Sequence, residues 1–234
     1  DLEGALAAAE AAVAAAPRAP LPQARLAELR LMRGETRQAR AAAGKAVTLG
    51  GGPLARIALG FAELAALRGR RAEDAFRAAI EEESWNPLAL LGLALARIKQ
   101  GELTEGTRLI ESAVAHDPSS SLLRSYLGKA YFEDRREAAA GKQYAIAKEL
   151  DPGDPTPWFY DAIRKQLANR PVEALRDLER SIALNDNRAP FRSRLLLDQD
   201  AATRGVSLGR IYDDLGFRQP GINEAARSLA LDPA

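Results

Sequence analysis

Small and apolar residues recur along this chain as paired stripes, each with the three-to-four-residue spacing of one helix face. The clearest stretch is 121–154, SLLRSYLGKAYFEDRREAAAGKQYAIAKELDPGD. Leu127, Gly128 and Tyr131 lie on one face of a first predicted helix, and Ala140, Tyr144 and Ala147 form the inner stripe of a second. Gly128 leaves room for that second helix to come close. Asp151-Pro152 closes the unit, because proline lacks the amide a continuing helix needs.

The pattern repeats with a period of about 34 residues, dividing 1–234 into a single array. In 20–52 the first helix is served by Leu26, Ala27 and Leu29, the turn by Gly34, and the second helix by Ala39, Ala43 and Ala46. In 53–86 the matches are Leu59, Gly60, Ala72, Phe76 and Ala79, while Gly69 arrives late for the turn and predicts an irregular connection. The repeat 87–120 supplies Leu90, Leu93, Ala94, Gly101, Ile110, Ala113 and an Asp117-Pro118 closure. The repeat 155–188 opens with Trp158 near its start and lines its second helix with Ala174, Leu178 and Ser181. Pro171 falls in a first turn, where its missing amide costs nothing.

Three places depart from regularity. Residues 1–19 read as half a repeat, an alanine-dense helix striped by Leu2, Leu6 and Val13 and stopped at Pro17. Gly50-Gly51-Gly52-Pro53 is looser than the Asp-Pro closures and is the candidate hinge, an ordinary turn between repeats being the competing reading. The last match, Leu208, Gly209, Tyr212, Gly216, Ala225, Ser228 and Asp232-Pro233 in 202–234, comes about thirteen residues late. The excess is an insert at 189–201, whose Leu195, Leu196 and Leu197 predict docking on the array, with Asp198 to Asp200 capping the helix that follows.

Small and aromatic residues at these offsets resemble the tetratricopeptide repeat. The resemblance covers nearly the whole chain. It implies an all-α fold, a right-handed solenoid of helix-turn-helix repeats whose first helices line a concave face. It also implies that repeat positions two, five, nine and twelve point into that face. Carried onto this sequence, these are Leu54, Ile57, Phe61 and Leu64; Leu88, Leu91, Leu95 and Ile98; Leu122, Ser125, Lys129 and Phe132; and Thr156, Phe159, Ile163 and Gln166. The run from Leu54 to Ile98 is almost wholly apolar. Exposed, it exceeds what a soluble monomer tolerates, so a partner's amphipathic helix, a peptide, another protomer or a further segment of the full-length chain is expected to cover it. The competing reading is that curvature buries these side chains against one another.

Composition removes other classes of function. The formal net charge is +1 with both signs interspersed, so no nucleic-acid-binding field is expected. With no cysteine and His116 alone, disulfides, thiolate metal sites, histidine metal clusters and Cys–His nucleophiles are unavailable. His116 ends a predicted helix, where the dipole favours a cation, which accounts for it without catalysis. No phosphate-binding glycine motif and no apolar run of about 20 residues appears, so neither nucleotide binding nor membrane insertion of these residues is expected. No cofactor is predicted. Glu81, Glu82 and Glu83 read as a solvated helix end, Trp85 as packing between repeats, and Glu173, Arg176, Asp177 and Arg180 as pairs along one helix surface.

Tetratricopeptide proteins that hold C-terminal carboxylates use a Lys/Asn/Arg clamp, of which only Lys129 has a counterpart here. Arg188, Arg192, Arg194, Arg204 and Arg210 could accept an anion, but Asp198, Asp200 and Asp213 beside them account for the cluster equally well. The stretch 185–217 resembles a segment of Gram-negative envelope proteins in which a periplasmic array precedes an outer-membrane β-barrel. That resemblance implies a periplasmic setting and a barrel beyond the fragment, which begins at Asp1 and reads as trimmed. The expectation is a non-enzymatic scaffold for a protein or peptide. The alternative is a cytoplasmic regulatory module of a larger enzyme or signalling protein.

Overall fold

The computed structural model describes residues 2–185, 201–216, 219–223 and 226, and among them every regular element is a helix. Most of the expected insert, with Leu195, Leu196 and Leu197, lies outside the described residues. So do Arg188, Arg192, Arg194, Asp198, Asp200, Ala225, Ser228, Asp232-Pro233 and the side chain of Arg204. The helices are α1 (Leu2–Ala15), α2 (Pro20–Met32), α3 (Thr36–Thr48), α4 (Gly52–Ala65), α5 (Gly69–Glu82) and α6 (Pro87–Lys99). They continue as α7 (Leu103–His116), α8 (Ser121–Glu133), α9 (Glu137–Leu150), α10 (Pro155–Leu167), α11 (Pro171–Asn185) and α12 (Ala201–Asp214).

The chemistry of the two kinds of helix start differs. Several first helices carry proline in the opening turn, and α6, α8 and α10 are capped by Asn86, Ser120 and Asp154, whose side chains accept from amides of the first turn. Second helices follow too tightly for such caps, because each first helix ends in a left-handed residue. Gly34, Leu67, Gly101, Arg135 and Asn169 all have φ between 57° and 93°. The next amide reaches back five residues each time, as from Glu35 to the Arg30 carbonyl at 2.9 Å and from Arg136 to Tyr131 at 2.8 Å. The connection expected to be irregular is therefore regular: Leu67 takes the left-handed place and Gly69 opens α5.

The described residues fall into two compact units, one within Asp1–Pro118 and one within Ser119–Arg188 and Asp198–Ala234. In the first unit α1 to α7 pack consecutively, and α4 also touches α2 and α6. Its core joins Ile57, Phe61, Leu64, Phe76 and Leu93, while Leu6, Leu26, Leu29 and Ala43 form a second cluster towards α1. The inner stripe of α1 is Leu6 and Ala9, with Ala12 exposed. The glycine junction is packed rather than loose. A Cβ on Gly51 would come 2.6 Å from Ala55 Cβ and 2.8 Å from the Ala46 carbonyl, so Gly51 serves close approach, whereas Gly50 and Gly52 take left-handed backbone at φ 80° and 59°.

In the second unit α8 packs on α9, α9 on α10, α10 on α11 and α11 on α12. Leu123, Tyr126, Leu127, Tyr144, Tyr160 and Leu178 are buried in it. Close helix approach is set by complementary sizes at one register. Gly60 faces the Phe76 ring and Gly128 faces Tyr144, and a Cβ on either glycine would lie about 2.5 Å from the ring carbons. At the same register the other repeats place alanine opposite alanine or an aliphatic residue in sequence, Ala27 and Ala43, Ala94 and Ile110, Ala162 and Leu178, all of them buried.

Candidate functional site

The first helices carry the residues expected to face a partner, and the structure sorts them. In the first unit Ile57, Phe61, Leu64 and Leu91 are core side chains, at most 6% exposed. The apolar run is thus buried in good part by neighbouring helices, as the competing reading had it for these four positions. Leu54, 39% exposed, is left at the surface, and Leu88, Leu95 and Ile98 are half-buried. A register of four apolar residues per helix cannot distinguish these outcomes, because burial depends on how closely the next helix stacks.

The second unit keeps more of its face open. Leu122, Lys129, Phe132, Ile163 and Gln166 are half-buried, whereas Ser125, Thr156 and Phe159 are buried. Ser125 turns its hydroxyl inward to the Ser121 carbonyl at 2.9 Å, and Ser121 donates to the α10 cap Asp154 at 2.9 Å. Lys129 lies over the Tyr160 ring, 4.9 Å from its centroid. Between the end of α8, the start of α9 and the end of α10 opens a cleft of about 560 Å³. Phe132, Ile163, Leu167 and Ala168 give it an apolar wall, and Glu133, Arg135, Glu137 and Arg164 its charges. Leu167, at the end of α10, is 72% exposed.

Behind the cleft lies a buried ionic network. Lys148 of α9 donates to Asp161 of α10 at 2.7 Å and to Asp177 of α11 at 2.8 Å. Lys165 reaches the same two carboxylates at 3.1 and 2.5 Å. Arg164 donates Nε and Nη2 to Asp161 Oδ1 at 2.8 and 2.7 Å, and the Lys148 ammonium sits 4.4 Å above the Trp158 ring. Burial alone would raise the Asp161 carboxyl. Burial is the largest single influence, but Lys148, Lys165 and Arg164 together outweigh it and hold the group well below the usual carboxylate range. Lys165 is likewise lowered by burial but raised on balance by Asp177 and Asp161. Burial, helped by the Asp161 charge, pushes the Tyr144 phenol well up.

Sequence reasoning missed this network by reading Asp177 as a surface partner of its own helix. Glu173 pairs with Arg170 instead, at 2.7 Å, and Asp177 turns inward. The available signal was register, since Asp177 is flanked on the inner stripe by Ala174, Leu178 and Ser181.

No family model matches this chain, and no curated protein does. Solved structures do match. Over the full chain the TM-score is 0.77 at 16% identity to a chain of the APC/C hetero-tetramer Cut9–Hcn1, of which this chain spans 44%. A thermophilic TPR protein of Thermus thermophilus matches 77% of this chain and 92% of its own, at a TM-score of 0.66 and 19% identity. The pilF protein of Pseudomonas aeruginosa matches 92% of both chains, at 0.65 and 17%. The fold is that of the tetratricopeptide repeat. In tetratricopeptide terms the open positions belong to the first helices α8 and α10, and the buried network joins second helices α9 and α11 to α10. His116 stacks on Trp85, with centroids 4.8 Å apart and planes at 28°, although Trp85 itself is 62% exposed. The Glu82 end of α5 is balanced by Arg56 at 2.5 Å. Among the described residues no group of three or more His, Cys, Asp and Glu could hold a metal, and no helix is long and apolar enough to cross a membrane.

Proposed function

We propose that this chain is a non-enzymatic interaction scaffold that holds a protein or peptide on the first-helix face of its second unit. The observation that carries the reading is the cleft between α8 and α10. Phe132, Ile163 and the largely exposed Leu167 form an apolar wall there, with charges at the rim. Four charged side chains share the cleft with this wall, and apolar contact beside fixed polar groups is what a recognition site combines. The repeat fold supports the reading, because stacked helix pairs present extended concave binding surfaces. Leu54, Leu88, Leu95 and Ile98 offer a smaller apolar surface on the first unit. An envelope setting in a Gram-negative bacterium rests on the resemblance of 185–217 described above.

A photo-crosslinking amino acid placed in turn at Leu122, Phe132 and Leu167 of the full chain tests the reading in cells. All three positions should yield the same discrete protein adduct, while Arg71 and Arg108 on second helices yield none. Equal labelling from both sets, or no adduct from the first set, would remove this face as the binding site.

A further inference from the structure

The cleft contains a cation that the fold has fixed in place through one edge, with a longer and more exposed partner on the other. Arg164 is 9% exposed. Its Nε and Nη2 edge is taken by Asp161, and its guanidinium lies against α9 where Gly141 leaves space; a Cβ there would come 3.3 Å from Arg164 Cζ. The remaining Nη1 has Glu137 Oε1 at 3.3 Å, and the Glu137 side chain is 54% exposed. Charge-assisted contacts run at about 2.7–2.9 Å, so this partner is a loose one. Arg135 lines the same cleft from its left-handed turn position, and Phe132, Ile163 and Leu167 form the wall beside it.

We infer that the cleft takes a peptide segment carrying an aspartate or glutamate next to a large apolar side chain. Its carboxylate would replace Glu137 on Arg164 Nη1, within the field of Arg135, and its apolar side chain would lie against Phe132, Ile163 and Leu167. The inference rests on the binding reading above and adds the chemistry of the partner. Glu137 is the molecule's own stand-in for the ligand carboxylate. The exchange is favourable because Arg164 is already ordered by Asp161 and Gly141, so binding orders no additional long cation. A ligand carboxylate seated beside apolar groups pairs more strongly with the guanidinium but also gives up hydration, so the contact of its apolar neighbour with Phe132, Ile163 and Leu167 carries the net gain. Glu133 also lines the cleft, and it makes a basic segment the specific competitor to be tested.

The experiment selects a randomised nonapeptide display library on the full chain, then measures one selected peptide and its Asp→Asn and Asp→Lys versions by fluorescence anisotropy. Arg164→Gln would strip a partner from buried Asp161, so the variants used are the exposed Arg135→Glu and Glu137→Gln. The selected pool should be enriched in Asp or Glu beside Leu, Ile or Phe. The Asp→Asn peptide should bind at least tenfold more weakly, Arg135→Glu should lose about tenfold, and Glu137→Gln should gain several-fold. Enrichment of apolar residues without acids, or of Lys and Arg, overturns the inference while leaving a binding face. So do selected peptides indifferent to both variants. Enrichment of nothing above background overturns both readings.

Discussion

At the scale of single residues, the helix-turn-helix joints put a price on Leu67. Gly34 and Gly101 occupy the left-handed place freely and Asn169 tolerates it, but Leu67 holds φ at 58° with its side chain 82% exposed. A left-handed non-glycine residue is disfavoured by about 1–2 kcal/mol, and nothing packs on Leu67 to offset this. Glycine gives back part of the gain through the greater freedom of its unfolded chain, about 0.4–1 kcal/mol. Leu67→Gly is therefore expected to stabilise the protein by about 0.5–1 kcal/mol, a rise of about 1–4 °C in melting temperature. An unchanged or lower midpoint in a thermal scan would show that the strain is relieved elsewhere. Sequence alone pointed to a displaced glycine, Gly69, and missed that leucine was filling the turn, because turn geometry follows the hydrogen bonds of the preceding helix and not the nearest glycine.

At the scale of helix pairs, the repeats are legible from sequence because small residues and their large partners are locally ordered. The rule the structure adds is that Gly60 and Gly128 on first helices face an aromatic ring on the second, and where alanine takes the glycine's place the residue at the ring's position is aliphatic or alanine. Gly60→Ala should then drive the new methyl into the Phe76 ring, costing about 1–3 kcal/mol as overpacking despite alanine's better helix propensity. Phe76→Leu alone should cost about 1–2 kcal/mol through the space it leaves, which Gly92 of α6 also borders. The double variant reproduces the Ala162 and Leu178 pairing, so its loss should fall short of the sum by about 1 kcal/mol. Urea titrations of the four proteins measure this coupling, and strict additivity would show that the sizes are not matched. What stayed illegible is how deep each groove position lies. Leu91 and Leu95 occupy equivalent-looking places one helical turn apart, yet one is fully buried and the other half-exposed. That difference is set by neighbouring helices, not by the stripe.

At the scale of the whole molecule, the two units are held by different physics, and each contains one of the two tryptophans. The first unit's core is apolar around Phe61 and Phe76, while the second places Asp161 and Asp177 among Lys148, Arg164 and Lys165. Charge spacing alone hid this, the inner-stripe register of Asp177 being its one sign in the sequence, since burial of a carboxylate depends on cations arriving from other helices. Asp161 is depressed in the folded state relative to about 3.9 when unfolded. Its stabilisation is therefore complete above about pH 4 and is lost as the pH falls through the folded value. Lys165 is raised, so its contribution holds below about pH 10.4 and is lost as the pH climbs through its folded value. Single-tryptophan variants separate the units: Trp158→Phe leaves Trp85 to report the first, and Trp85→Phe leaves Trp158 to report the second. Between pH 6 and pH 2.5 the urea midpoint seen by Trp158 should fall further than that seen by Trp85. Asp161→Asn should lower the Trp158 midpoint at pH 7, by about 3–5 kcal/mol in stability for a broken buried pair, and should flatten its acid dependence. Equal acid sensitivity at both tryptophans would mean that the network does not set the second unit's stability.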